Sequence, residues 1–78
     1  MTLYQIGNSD LSLRMEYDAN DNPIYVGEAA AGAEESSSVW RIKKVTFDTN
    51  DNATKVQWAS GTAVFDKSWN NRVSYSYS

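Results

Sequence analysis

The chain has 78 residues, the length of one small domain, and it contains neither cysteine nor histidine. This composition excludes disulfides, the usual zinc ligand sets and a catalytic triad that uses histidine as its base. The formal net charge is −3, and a sequence pI near 4.6 argues against nucleic acid as a partner. Because so short a chain buries little surface, a partner chain is the remaining way to add stability.

The charge is divided unevenly along the chain. Residues 1–38 carry seven acidic side chains and one basic one, which gives −6, whereas residues 39–78 carry six basic and three acidic side chains, which gives +3. Two interpretations follow: the halves complement each other within one molecule, or copies attract one another head to tail.

The first half of the chain predicts a hairpin and a loop. Apolar residues alternate with polar ones from Leu11 to Tyr17, which indicates a strand with one buried and one solvated face. Turn residues at 20–23 precede a return strand at Ile24–Val26. A low-complexity loop is then predicted at about 28–38, with a helical turn over Glu28–Ala33 as an alternative within it.

The second half predicts another hairpin. Val39–Phe47 is the strongest strand, and a change in its alternation favours a β-bulge at Lys43–Lys44. A loop at Asp48–Ala53 precedes a second strand, Thr54–Trp58, in which Val56 and Trp58 are predicted to point inward.

The C-terminal residues predict a helical turn and a last strand. The spacing of Phe65, Trp69 and Arg72 suits one helical turn, which the asparagines at 70–71 would end, and residues 73–77 alternate as a strand. The predicted fold class is therefore all-β with a minor helical turn. The prediction is a small antiparallel sheet or a partly closed barrel, built from two similar β-hairpins plus the C-terminal strand in a single domain, 1–78. An additional strand at Tyr4–Ile6 is an alternative, and Met1–Ile6 lacks the pattern of a signal peptide.

An internal repeat supports the two-hairpin prediction. The segment Tyr17–Asn22 recurs 30 residues later as Phe47–Asn52, with Asp, Asn, Asp and Asn at matched positions. The same spacing imitates the start of a calcium-binding EF-hand loop, but Pro23 and Ala53 occupy the glycine position, and alanine replaces the bidentate glutamate. Two matched hairpin turns are therefore predicted, and neither a metal site nor a cofactor is.

Large apolar side chains define the predicted core, and exposed polar or aromatic ones define the predicted interface. The core candidates are Trp40, Ile42, Val56, Trp58, Phe65 and Trp69. The interface candidates are Glu34, Glu35, Ser36, Tyr75 and Tyr77. No catalytic residue is predicted, because neither histidine nor cysteine is present to supply a base. Ser68, beside Asp66 and Lys67, is interpreted as part of a helix end with a solvated lysine.

Several segments together resemble a family of very small, largely uncharacterised virion-associated proteins of tailed bacteriophages. The resemblance covers most of residues 24–77. It rests on the Trp-Arg-Ile-Lys strand at 40–43, the Trp-Ala-Ser-Gly hairpin end at 58–61, the Phe-Asp-x-x-Trp-x-x-Arg turn at 65–72 and the Tyr-Ser-Tyr ending at 75–77. It provides no catalytic residue to carry over.

The resemblance implies a protein associated with the virion, and the expected role is non-enzymatic and structural. The expected function is capsid decoration or a neck, tail or fibre subunit, with other copies of the chain and larger virion proteins as partners. The alternative is a carbohydrate-binding β module on a host-recognition appendage, which would use exposed aromatic rings to bind sugar. Neither nucleic acid nor a membrane is expected as a partner.

Overall fold

The computed structural model describes residues 11–78, which form one four-stranded antiparallel sheet. The strands are Leu11–Tyr17 (β1), Pro23–Ala30 (β2), Arg41–Phe47 (β3) and Ala53–Trp58 (β4), and a 3-10 helix at Trp69–Ser74 follows them. The strands lie side by side in chain order, and within these residues the sheet is not closed into a barrel. The all-β prediction is confirmed. Of the two predicted forms, the described residues adopt the antiparallel sheet and not the partly closed barrel.

The sheet consists of two hairpins with the same turn. In the first, the Asp18 carboxylate accepts hydrogen bonds from the amides of Asn20 and Asn22 at 2.8 and 3.0 Å. The Asp48 carboxylate accepts the matching pair in the second at 2.9 and 3.0 Å. The backbone amide of each aspartate also donates to the carbonyl four residues later, at 2.9 Å in both turns. The predicted structural repeat is confirmed at the level of individual hydrogen bonds.

The predicted bulge is in the wrong place. Strand β3 pairs in regular register through Lys43 and Lys44, and its register shifts only between Thr46 and Phe47. The first hairpin shifts at the matched position, between Glu16 and Tyr17. The irregularity therefore belongs to the repeated turn, whose tight hydrogen bonding displaces the last residue of the strand that enters it.

The connection between the hairpins is shorter than predicted. Strand β2 continues to Ala30, so the first residues of the expected 28–38 loop pair with β1 and β3. A strand therefore replaces the alternative helical turn. The chain turns where the amide of Ala33 donates to the carbonyl of Ala30 at 3.1 Å.

The C-terminal segment differs most from the prediction. The helical turn contains the asparagines that were expected to end it, and it extends through Ser74 where a strand was expected. The last residues pair with the sheet: the amide of Ser60 donates to the carbonyl of Ser76 at 2.6 Å, and the backbones of Trp58 and Ser78 exchange hydrogen bonds at 3.0 and 3.1 Å. Before the helix, Lys67 exchanges backbone hydrogen bonds with Trp40 at 2.7 and 2.8 Å. The alternative strand at Tyr4–Ile6 lies outside the described residues.

The core lies between one face of the sheet and this C-terminal segment. Trp40 and Ile42 are fully buried, and Trp69 is 5% exposed. The Trp40 and Trp69 rings approach with centroids 6.2 Å apart, at an interplanar angle of 41°. Ala29 and Ala59 complete the cluster with small side chains that let the rings approach the sheet. We call this side of the sheet the covered face.

Two of the six core candidates are wrong. Val56 is 57% exposed and Phe65 is 43% exposed, and Trp58 is only half-buried. The register explains Val56 and Trp58, because they pair with Val45 and Lys43, whose side chains point away from the face that Ile42 occupies. Phe65 precedes the C-terminal 3-10 helix and packs under the guanidinium of Arg41, 4.6 Å from the ring centroid.

Candidate functional site

The second face of the sheet is largely apolar, and the core cluster formed by residues 11–78 lies on the other side of the sheet. We call this second face the open face. Alternation along the paired strands assigns it the following side chains: Leu11, Leu13, Met15, Tyr17, Ile24, Val26, Val45, Val56 and Trp58. Leu13, Met15, Tyr17 and Val56 are between 46% and 57% exposed. The first three lie on edge strand β1 and Val56 lies on β4, whereas the central Val45 is 9% exposed. Half-exposed apolar side chains of this number on a small protein indicate an interaction surface.

Strand β1 is oriented opposite to the simple expectation. Its polar residues lie on the covered face, and its apolar residues lie on the open face. The hydroxyl of Tyr17 donates to the sulfur of Met15 at 3.1 Å, which places both side chains on the same side. The sequence pattern correctly indicated two unlike faces, but it did not indicate which of them the rest of the chain covers.

Ion pairs explain why polar residues of β1 occupy the covered face. The guanidinium of Arg14 pairs with Glu35 at 2.6 Å and lies over the Trp40 ring, 5.5 Å from its centroid. Glu16 pairs with Arg72 at 2.7 Å, and Arg72 lies over the ring of Trp69 at 4.5 Å. Aromatic rings and opposite charges thus stabilise the charged groups of Arg14, Glu16 and Arg72 along the rim of the core.

These contacts also bear on the uneven charge distribution. The Glu16–Arg72 pair and a Glu28–Arg41 pair, at 2.7 Å, each join an acid of the first half to a base of the second. The two halves therefore complement each other within one molecule, as the first interpretation proposed.

The charged residues of the open face occupy one corner of it. The Arg41–Glu28 pair lies there, and the Lys43 ammonium lies 5.6 Å from the centroid of the Trp58 ring. Strand β1 contributes only Leu11, Leu13, Met15 and Tyr17 to this face. The uncharged part of the face therefore comprises β1 together with the ends of the other strands that lie nearest the turns.

The predicted interface loop is held by its own chain. Glu34, Glu35 and Ser36 are exposed. The carbonyl of Glu34 nevertheless accepts the indole N–H of Trp40 at 2.9 Å, and the carbonyl of Glu35 accepts from the hydroxyl of Ser68 at 3.1 Å. The order of this loop therefore has an intramolecular cause, and its role as an interface stays a prediction.

The predicted interface tyrosines pack against the core. Tyr75 and Tyr77 are half-buried, and the Tyr77 ring lies 5.7 Å from that of Tyr25. The Tyr77 hydroxyl donates to the carbonyl of Arg72 at 2.7 Å, and the Tyr75 hydroxyl accepts from the amide of Ser68 at 2.7 Å. Burial raises the pKa of the Tyr77 phenol. Both side chains fix the C-terminal segment in place, a role that their sequence positions did not indicate.

A cleft separates the two hairpins near their turns. Pairing of β2 with β3 stops at Tyr25 and Lys44, yet the turns meet again where the Asn22 side-chain amide donates to the carboxylate of Asp51 at 2.9 Å. The space between them measures about 460 Å³, and its lining includes Asp18 and Lys44.

The described residues contain no acidic cluster of the size that a metal site needs, since residues 11–78 bring no three carboxylates together. Hydrogen bonds from backbone amides, that of Asn22 above all, lower the pKa of Asp18, and the amide of Asn52 does the same for Asp48. These carboxylates therefore stabilise turns. The prediction that Lys67, beside Ser68, is solvated is wrong, because Lys67 is 6% exposed and pairs with Asp66.

Comparisons of this chain with protein-family models, with curated proteins and with solved structures found no match. None of the helical residues in the described part of the chain forms a segment long and apolar enough to cross a membrane.

Proposed function

We propose that this chain is a non-enzymatic structural subunit of a bacteriophage particle that acts by packing its open face against another protein surface. The open face carries the proposal, because four of its large apolar side chains are about half exposed while the core lies on the other side of the sheet. Desolvating such a face is the main free-energy gain available to a small subunit on assembly.

The assignment to a phage particle rests on the sequence resemblance. The residues that carry it include the Trp-Arg-Ile-Lys strand and the Phe-Asp-x-x-Trp-x-x-Arg turn. Trp40 and Trp69 from these two segments meet in the core, and Arg72 caps the Trp69 ring. The resembling pattern is thus one packing unit, which suits a protein whose role is structural.

Carbohydrate binding has less support. A sugar platform needs two or three exposed rings near one another, and the most exposed rings among residues 11–78 are those of Tyr17 and Phe65. Tyr17 is the last residue of β1. Phe65 packs on Arg41 of β3, and strand pairing places Arg41 beside Glu28 of β2 and Glu28 beside Leu13 of β1. The two rings are therefore separated by four residues along the strand direction, about 13 Å, and by two strand spacings across the sheet.

The test is the composition of purified phage particles from the host culture that produces this chain. Quantitative mass spectrometry should find the chain at a fixed copy number relative to the major capsid protein. Particles assembled with Met15→Lys should lack it, because an unpaired lysine on the open face resists burial. Val73→Lys is the matched control, since Val73 is 70% exposed and lies in the C-terminal 3-10 helix. Absence of the unsubstituted chain from the particles would overturn the proposal.

A further inference from the structure

We infer that the open face binds a second copy of this chain, so that two sheets pack face to face as a two-layered β-sandwich. The inference rests on the proposed function in one respect, namely that the open face is a packing surface. It adds the identity of the partner. The sheet itself provides the first argument, because the inner faces of two packed sheets interdigitate their side chains at a separation of about 10 Å.

The size of the face meets the requirement of a weak dimer. Four strands at the usual spacing are about 19 Å wide, and seven residues of strand are about 23 Å long. Each copy thus offers about 440 Å², and two apposed faces remove about 900 Å² or more from water, close to the roughly 1,000 Å² at which specific interfaces begin. We therefore expect a reversible dimer with a dissociation constant in the micromolar range.

The charges of the face permit self-association. Glu28 and Arg41 neutralise each other within one copy at 2.7 Å, and Lys43 is placed over the Trp58 ring. A two-fold axis that runs parallel to the strands, between β2 and β3, would set Glu28 of one copy opposite Arg41 of the other and Lys43 opposite Val26. Like charges of the two copies would then stay apart, and the aliphatic stems of Lys43 would contribute apolar contact.

The experiment is sedimentation velocity of the full chain from low micromolar to millimolar concentration. The unsubstituted chain should convert from monomer to dimer with rising concentration. Val56→Lys should weaken dimerisation about tenfold or more, because each lysine must be desolvated without a partner. Val73→Lys should leave dimerisation unchanged, as a substitution of the same kind on the opposite side. Met15→Lys is the second variant if Val56→Lys fails to fold, with the circular dichroism spectrum as the check on folding.

Salt gives an independent readout. An apolar interface should persist or strengthen at high sodium chloride, whereas a charge-guided head-to-tail contact should weaken. A chain that stays monomeric at millimolar concentration would overturn the inference, and so would a dimer that Val56→Lys and Met15→Lys do not weaken. If the monomer is still incorporated into particles in a way that depends on Met15, the proposed function stands and the partner is a different virion protein. If the chain dimerises but is absent from particles, the inference stands and the proposed function fails.

Discussion

At Gly27 the sheet and the C-terminal segment come closest together. A β-carbon built at Gly27 would lie 2.6 Å from Cε3 and 2.9 Å from Cζ3 of Trp69, and 3.3 Å from Cε3 of Trp40. Two indole rings thus pack directly on the backbone of β2, which only glycine permits. The absence of a side chain here is a requirement of the core, although the sequence suggested only the start of a loop.

Gly27→Ala should therefore destabilise the fold by roughly 1–3 kcal/mol, the usual cost of overpacking. Urea unfolding followed by tryptophan fluorescence measures the change. The matched control is the same substitution in a Trp69→Leu background, where the smaller side chain leaves room and the added cost should be less than in the parent. Equal costs in both backgrounds would show that the ring of Trp69 is not the obstacle.

The turn aspartates should make stability fall in acid. Backbone amides hold the pKa of Asp18 and Asp48 below its unfolded value, with Asn22 and Asn52 as the largest respective causes. A lowered carboxylate pKa contributes stability that is present above the unfolded pKa, about 3.9, and is lost as the pH falls through the folded value.

Asp18→Asn with Asp48→Asn should reduce this acid sensitivity, because the amide oxygen can accept the same hydrogen bonds without titrating. Thermal melts between neutral pH and strong acid would measure it. Below about pH 4, the melting temperature of the doubly substituted chain should decrease less than that of the parent. Parallel curves for the two proteins would mean that the destabilisation has another source.

At the scale of the elements, the two hairpins have turns of the same structure, and these turns are in contact with each other. Asp21 and Asp51 occupy matched positions with positive φ, 64° and 63°. Asp51 also accepts a side-chain hydrogen bond from Asn22 of the other hairpin. The repeat thus produces two similar turns with one difference, the contact that joins them.

Glycine substitutions at positions 21 and 51 should distinguish the cost of backbone strain from the stability that the contact between the two turns contributes. Asp21→Gly should stabilise the chain by about 0.5–1 kcal/mol, because glycine adopts positive φ without a steric penalty. Asp51→Gly should gain less or nothing, since it also loses the hydrogen bond to Asn22. Chemical denaturation of both variants measures the difference, and equal effects would show that the contact between the two turns contributes no stability.

At the scale of the whole molecule, the C-terminal segment decides which side of the sheet is inside. Trp69 inserts against β2 and β3, and Tyr77 packs on Tyr25. Hydrogen bonds between Ser76–Ser78 and the end of β4 then close the segment onto the sheet. Both faces of the sheet carry apolar side chains, so this docking alone distinguishes the covered face from the open one.

Trp69→Ala should cost about 3–5 kcal/mol, the range for truncation of a buried aromatic residue. It should also increase amide hydrogen exchange at Trp58, Ser60 and Ser78, whose amides donate the hydrogen bonds between this segment and the sheet, because the segment loses its anchor. Phe65→Ala is the control, and it should cost about 1 kcal/mol or less, because its ring is 43% exposed. Protected amides at Trp58, Ser60 and Ser78 in the Trp69 variant would show that the backbone pairing holds the segment without the indole.

Local pattern predicted the local structure well. The strands near Leu11–Tyr17 and Val39–Phe47, and the matched turns between strands, follow from alternation and from aspartate–asparagine chemistry, which act over a few residues. The placement of Val56 and Trp58 failed because the side of the sheet they occupy depends on register with β3 and on where the C-terminus docks.

The sequence by itself determined an all-β chain of two matched hairpins, a core containing Trp40, Ile42 and Trp69, and the lack of histidine and cysteine chemistry. These features depend on composition and on contacts between near neighbours in the chain. Only the tertiary structure decided that Leu13 and Met15 face outward while Arg14 and Glu16 face the core side. The reason is physical: alternation distinguishes two faces of a strand, but the face that loses water is chosen by distant residues, here Trp69 and Arg72, through packing and charge.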